Sequence, residues 1–158
     1  MTLTLDEVML EIEIDVRGGT GDACEHEPVS ADVVAAVKML VELDIDATVA
    51  YAQAAEGVDE LDLAVRDQLF SFRADHERHV DALSAVLESL GEDTPERERN
   101  LSGFAIEGMV PVRAALGTEN ALKAMRRNEV TMSRKIAWVL ALDDLPEDIR
   151  ALVELSRT

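Results

Sequence analysis

Aromatic side chains are nearly missing from this chain of 158 residues: Phe, Trp and Tyr together make up 3% of it. Its core must be built from Ala, Leu, Val and Met instead. Cysteine is represented by Cys24 alone, so no disulfide can form within the chain, and a secreted fold stapled by disulfides is excluded. Eight glycines and four prolines leave little material for loops, which points to long helices. Basic residues are short too, 15 Lys and Arg against 33 Asp and Glu, for a net charge of −18. Such a surface suits neither a phosphate backbone nor an anionic lipid layer, so neither nucleic acid nor a membrane is expected as a partner. No apolar run approaches the roughly 18 residues of a membrane span. The N-terminal stretch MTLTLDEVMLEIEID has no basic leader region, and the expected location is the cytoplasm.

What is present is helical periodicity. Residues 1–29 form a separate segment: LTLDEVMLEIEIDV alternates like a strand, yet Leu5, Val8, Met9, Ile12 and Val16 also fit a helical stripe, and 17–28 reads as a linker. Residues 30–158 read as one helical bundle. Its first helix is expected from an N-cap at Ser30 to about Glu56, with Gly57 as a left-handed stop. The second should run from near Asp59 to Leu90, closed by Gly91. So short a connection makes the two an antiparallel hairpin. The polar stretch 92–100 and the segment LSGFAIEGMVPVRAALG, interrupted by Gly103, Gly108 and Pro111, suit a broken crossover. A third long helix is expected from a Thr118 cap to about Leu142. A short fourth should open with Pro146 at its first helical position.

The core-facing seams carry intrusions. On the second helix a 3-4 spacing links Val65, Leu69, Phe72, His76, His79, Leu83, Val86 and Leu90. On the first it links Val34, Val37, Val41, Asp44, Thr48, Tyr51 and Ala55. On the third it links Leu122, Met125, Glu129, Met132, Ile136 and Val139. Each long helix is thus broken near its middle by polar or ionisable groups. A buried carboxylate without a partner costs several kcal/mol, so these groups are expected to meet. Asp44, His76, His79 and Glu129 offer two imidazoles and two carboxylates, a donor set suited to Fe, Mn or Zn. A metal-free cluster of His–Asp and His–Glu hydrogen bonds is the plain alternative. Glu42, Asp46 and Glu56 flank the first seam and read as solvated, with Glu42 or Asp46 able to replace Asp44 if the register shifts. The string DHERH has HExH spacing, so the HExxH signature of zinc proteases is absent. Cys24 and His26 lie in a Gly-rich linker and are given no site. Trp138 falls off its seam, at the edge of the core.

The first and third helices align as LDIDATVAY against NEVTMSRKI, with Asp44 seven residues before Tyr51 and Glu129 seven before Ile136. These segments, with FRADHERHVDALSAVLESLGEDTP and the crossover, resemble the ferritin-like superfamily and its small rubrerythrin-related bacterial members, over about Val33 to Leu155. The resemblance implies an all-α, ferritin-like antiparallel four-helix bundle with a long crossover between helices 2 and 3. It also implies that Asp44 and Glu129 match the family's single carboxylates and His79 its motif histidine, with iron, oxygen or peroxide handling as the associated chemistry. The chain departs from that pattern where His76 stands in place of a glutamate, Ile136 in place of an aromatic, and no fourth-helix Glu-x-x-His pair occurs before Thr158. The expectation is therefore one half-site plus Glu129 of a second, any remainder lying past Thr158 or coming from another subunit. A short fourth helix leaves seams uncovered, so a homodimer or higher homo-oligomer is expected. The rival reading is a non-enzymatic oligomerising bundle with a vestigial site. No phosphate loop, nucleophile elbow or basic aromatic surface supports phosphoryl transfer, serine hydrolysis or RNA binding.

Overall fold

The computed structural model describes residues 29–97 and 117–157, all of them helix or short connections with no strand among them. Helix α1 spans Ala31–Gly57, α2 Leu63–Ser89, α3 Thr118–Leu140 and α4 Glu147–Leu155. They pack as an all-α four-helix bundle in which α1 lies against both α2 and α3, and α4 against α3 and α2. The expectations for residues 1–28 and for the broken crossover helix lie outside the described residues.

Composition explains why α1 is the central helix. Fourteen of its 27 residues are buried, among them Ala47, Ala50, Ala54 and Ala55, whose small side chains let neighbouring backbones come close. On α2 the buried set is narrower and includes Leu69, His76, Val80, Leu83 and Leu87, while α3 buries Ala121, Ala124, Met125, Met132, Ile136 and Val139. Two seam positions differ from expectation: Leu122 and Phe72 are exposed, and Ala121 and Ala124 occupy the contact that Leu122 was expected to make. Small residues there allow α3 to sit close to α1.

The topology follows from four ties between helix ends. At one end, Gly117 N–H donates to the Gly57 carbonyl at 3.1 Å, and Asp59 N–H donates to Thr118 Oγ1 at 3.1 Å. The Thr118 hydroxyl in turn donates to the Asp62 carboxylate. At the other end, Lys38 Nζ near the start of α1 pairs with Glu92 just past α2, at 2.7 Å. The α3 helix therefore starts beside the α1–α2 turn, antiparallel to α1 and parallel to α2. The end of α2 and the start of α3 thus lie at opposite ends of the bundle, about 40 Å apart for helices of this length.

These ties also move the helix boundaries. Ser30 caps α1 as expected, accepting from Val33 N–H at 3.2 Å. Gly57 is not a left-handed stop; the chain leaves α1 extended at Val58, because the Gly57 carbonyl is satisfied by α3. The second helix begins at Leu63 rather than near Asp59, since residues 59–62 form a turn closed by Asp62 N–H to Asp59 O at 2.9 Å. Thr118 is the first residue of α3 and not its cap, its hydroxyl being used between helices. The cap position falls to Gly117 at φ 82°, in the left-handed region open to glycine. Gly91 at φ 74° does close α2. Pro146 is the cap of α4 rather than its first residue, and Arg150 reaches back to the Leu140 and Leu142 carbonyls at 2.6 and 3.1 Å, satisfying the open end of α3.

Because Leu83 is fully buried between helices, Leu83→Ala should lower stability by about 3 kcal/mol through lost burial and a residual cavity. The matched change at Leu61, which is 95% exposed, should stay within about 0.5 kcal/mol. Urea unfolding of the two variants measures both.

Candidate metal centre

Halfway along the bundle α1 presents Asp44 towards α2, where His76 and His79 lie on one face because residues three apart on a helix are neighbours. Asp44 Oδ1 stands 2.7 Å from His76 Nδ1 and 3.7 Å from His79 Nδ1. Ligand-type atoms of the three residues all lie within 4.8 Å of one another, a grouping that can hold a metal ion. Glu129 on α3 joins from the far side of the His76 ring, its Oε1 3.7 Å from Nε2 and 2.7 Å from the Tyr51 hydroxyl, which donates to it. Tyr51 stacks on His76 with ring centres 5.2 Å apart, and the His79 ring stands edge-on to His76 at 5.8 Å. All four residues picked from the seams therefore meet, although Glu129 does so through His76 and Tyr51.

The site is dry on one side and open on the other. Beside Asp44, the space bounded by Leu40, Leu43, Leu83, Met132 and Ile136 leaves no room for a water molecule. The Asp44 side chain is 4% exposed, whereas that of Glu129 is 44% exposed, so the group is least covered at Glu129. Glu129 is thus half-exposed, contrary to the fully buried carboxylate its seam position suggests.

Charge within the cluster follows from these distances. Burial works against a charged His76, but the hydrogen bond to Asp44 and the nearby Glu129 outweigh it and raise the ring to about 9. With Asp44 bonded to one nitrogen and Glu129 beyond the other, the surroundings favour the doubly protonated ring. Burial pushes the Glu129 carboxyl up, and His76 and the Tyr51 hydroxyl more than reverse this, holding it below the usual carboxylate range. The Tyr51 hydroxyl is pushed up by burial and then by Glu129, so it stays a donor.

One atom remains without a role. His79 Nδ1 is buried and has no hydrogen-bond partner, and at 3.7 Å it is too far from Asp44 to form one. Two ligands on one tetrahedral ion about 2.1 Å from each would stand about 3.4 Å apart, close to this gap. An ion between Asp44 and His79 would satisfy the orphaned nitrogen. It would also take the place of a proton on His76, since a ligating imidazole must be neutral on the bonded nitrogen. The residues present fit a metal.

The family model described as "Domain of unknown function (DUF2383)" matches residues 32–141. The chain belongs to this family. The DUF2383 span takes in α1, α2 and α3, and with them Asp44, Tyr51, His76, His79 and Glu129, while α4 lies outside it. Comparison with curated proteins and with solved structures returns no match.

Sequence reasoning missed three features of this region. It placed Tyr51 in a seam without seeing its bond to Glu129, because a tie between helices leaves no trace in spacing along one helix. It took Asp46 as solvated, whereas Asp46 is buried. It passed over Asn128, almost fully buried next to Glu129 on α3. A polar residue on the core arc of α3 was the available signal for the last.

The folded His76 keeps its proton to about pH 9, whereas the ordinary value is 6.5. Stability from this pair is therefore complete below pH 6.5 and lost as pH rises towards 9, by on the order of 3 kcal/mol. Glu129 acts in the opposite sense, contributing above 4.5 and losing its contribution as pH falls through its lower folded value. Urea unfolding of the metal-free chain across this range should show the fall on the alkaline side, and His76→Gln should flatten it.

Proposed function

We propose that this chain is a ferritin-like metal-binding protein, with Asp44, His76 and His79 holding one transition metal ion inside the bundle and Glu129, the fourth residue of the group, as its outward-facing carboxylate. The observation that carries the reading is the buried His79 nitrogen, which lacks a partner beside an acid and a second imidazole. The four helices, with α3 starting beside the α1–α2 turn and running parallel to α2, support the ferritin-like assignment, since that is the order of helices the resemblance implies. Fe, Mn and Zn all suit two imidazoles and carboxylate oxygens. If the ion is Fe or Mn, it supplies one-electron exchange with oxygen or peroxide. The protein's share is then to orient the ligands, to keep water out on the Leu43–Ile136 side, and to hold Glu129 on Tyr51 at the open side.

A second reading keeps the fold and drops the metal: a non-enzymatic oligomerising bundle with a vestigial site. It draws on the fact that Asp44, His76, Glu129 and Tyr51 already pair with one another. It leaves His79 unexplained.

Elemental analysis of the purified protein decides between them. The expected result is about one equivalent of Fe, Mn or Zn per chain, lost in His79→Ala while the helical circular dichroism is kept. Added metal should raise the melting temperature of the metal-free protein, because an ion bound only by the folded state stabilises it in proportion to the logarithm of its concentration over Kd. Metal below about a tenth of an equivalent, not restored on reconstitution and without a thermal shift, would overturn the metal reading.

A further inference from the structure

The charge of this molecule is unevenly divided. Although the chain carries −18, α3 has five basic residues and two acidic ones, a net of +3, while α1, α2 and α4 are each net negative. The basic residues are concentrated on the side of α3 turned away from the core. Lys123, Arg126, Arg127, Val130, Arg134 and Trp138 fall on one face at helical spacing, and all six are exposed. Past Glu119, which pairs with Lys123 at 2.5 Å, that face holds no acid. Arg126, Arg127 and Arg134 make no ion pair among the described residues. In so acidic a chain, three exposed guanidinium groups without an ion-pair partner among the described residues mark a surface suited to an acidic one. At the end of this face Trp138, the only tryptophan of the chain, is 53% exposed. Trp and Arg are the residues most enriched among the energetic anchors of protein interfaces.

The complementary surface lies on the same molecule, facing another way. On α2, Phe70, Glu77, Asp81 and Glu88 form an exposed stripe at near-heptad spacing, with Phe70 45% exposed. Glu77 and Asp81 pair there with Arg73 and Arg97, and Glu88 makes no ion pair among the described residues. Glu77 and Asp81 also stand on the rim of a cleft of about 300 Å³ between α1 and α2, walled by Ile45, Thr48 and Val80, with Arg97 beside Asp81 at its edge. The volume is ample for an indole ring. One face thus offers cations unpaired among the described residues and an aromatic knob, the other a hole rimmed by acids held only in exposed ion pairs, which are weak and open to exchange.

We propose that the outer face of α3 docks on the α1–α2 cleft of a second copy of this chain, with Trp138 entering the cleft and Arg127 and Arg134 meeting Glu77 and Asp81. Charge complementarity selects the partner face. Two α3 faces would meet as like charges, whereas α3 against α2 joins opposite ones, much as flanking charges set partner choice in coiled coils. Made reciprocally across a two-fold axis, the contact closes a dimer; made one way, it extends to a ring or chain. It involves none of Asp44, His76 and His79, so its failure leaves the metal reading untouched, and the reverse holds as well.

The test is sedimentation of the full chain, with Trp138 emission as a direct reporter because no other tryptophan contributes. The expected result is an oligomer that dissociates as salt rises from about 0.05 to about 0.5 M, with screening of the opposed charges. Trp138 emission should shift to the red on dissociation. Arg127→Glu with Arg134→Glu should weaken association at least about tenfold, as should Glu77→Lys with Asp81→Lys, while helicity is unchanged. Mixing the two variants should restore association, since each then offers the other a complementary face. A chain that is monomeric at all salt concentrations overturns the proposal. So does an oligomer indifferent to the α3 charge reversal and to Trp138→Ala. A monomer whose Trp138 emission shifts to the blue only on adding vesicles containing phosphatidylserine would assign the face to an anionic lipid surface instead. If the double variants lose helicity, the salt dependence and emission shift of the unaltered chain decide alone.

Discussion

The contact between Asp44 and His76 governs the middle of this molecule. At 2.7 Å and out of reach of water, it joins the two most extensively packed helices through groups that neither helix could bury alone. An unpaired carboxylate in that position would cost several kcal/mol, and an unpaired imidazolium about as much. The pair sets the register of α1 on α2, and the rest of the cluster follows from it. Tyr51, two turns on from Asp44 along α1, lies over the His76 ring, and Glu129 on α3 is drawn to both. A hairpin that slid by one turn would keep its apolar contacts nearly unchanged and lose this pairing. Leu, Val and Ala supply the bulk of the stability, and the buried ions choose among the ways those residues can pack.

The same pairing makes His79 conspicuous. Asp44 satisfies His76 and then stands too far from His79 to satisfy it as well, so one buried nitrogen is left with a lone pair and nothing to receive it. A cluster evolved only to be neutral would not need that second imidazole. The asymmetry of the surroundings has the same direction: a tight aliphatic wall behind Asp44 and a half-exposed carboxylate in front. Any ion held there would be dehydrated by the protein on one side and approached on the other. An ion held there would compete with a proton for His76, which would link its occupancy to pH through that ring.

Several parts of this arrangement were legible from residue order. Long runs at 3-4 spacing, few glycines and a cap at Ser30 specify helices locally, because hydrogen bonds within one helix depend only on its own residues. The approach of Asp44, His76, His79 and Glu129 was legible as well, since most seam positions turn towards the core and polar groups there need one another, although Leu122, Phe72 and the half-exposed Glu129 show that a seam position does not by itself guarantee burial. The helix ends were less so. Gly57 and Thr118 look like stop and start signals, yet each is spent on a bond to another helix, Gly57 through its carbonyl to Gly117 and Thr118 through its hydroxyl to Asp59 and Asp62. Leu122 and Ala121 exchange roles for a related reason: adjacent residues differ by 100° around a helix, and only the partner decides which of them is inside.

The amino-acid sequence alone determined that the described part of this chain is helical, that α1 carries small and apolar residues on most of its sides, and that four ionisable or ligating groups sit at mid-helix seam positions. Those properties depend on composition and periodicity. Only the tertiary structure decided that Tyr51 belongs to Glu129, that Asp46 and Asn128 are buried, that one nitrogen of His79 lacks a partner, and that the basic face of α3 points away from the acidic stripe of α2. Each of these is a relation between helices. Its energy depends on distances across the bundle, which no pattern along a single helix encodes.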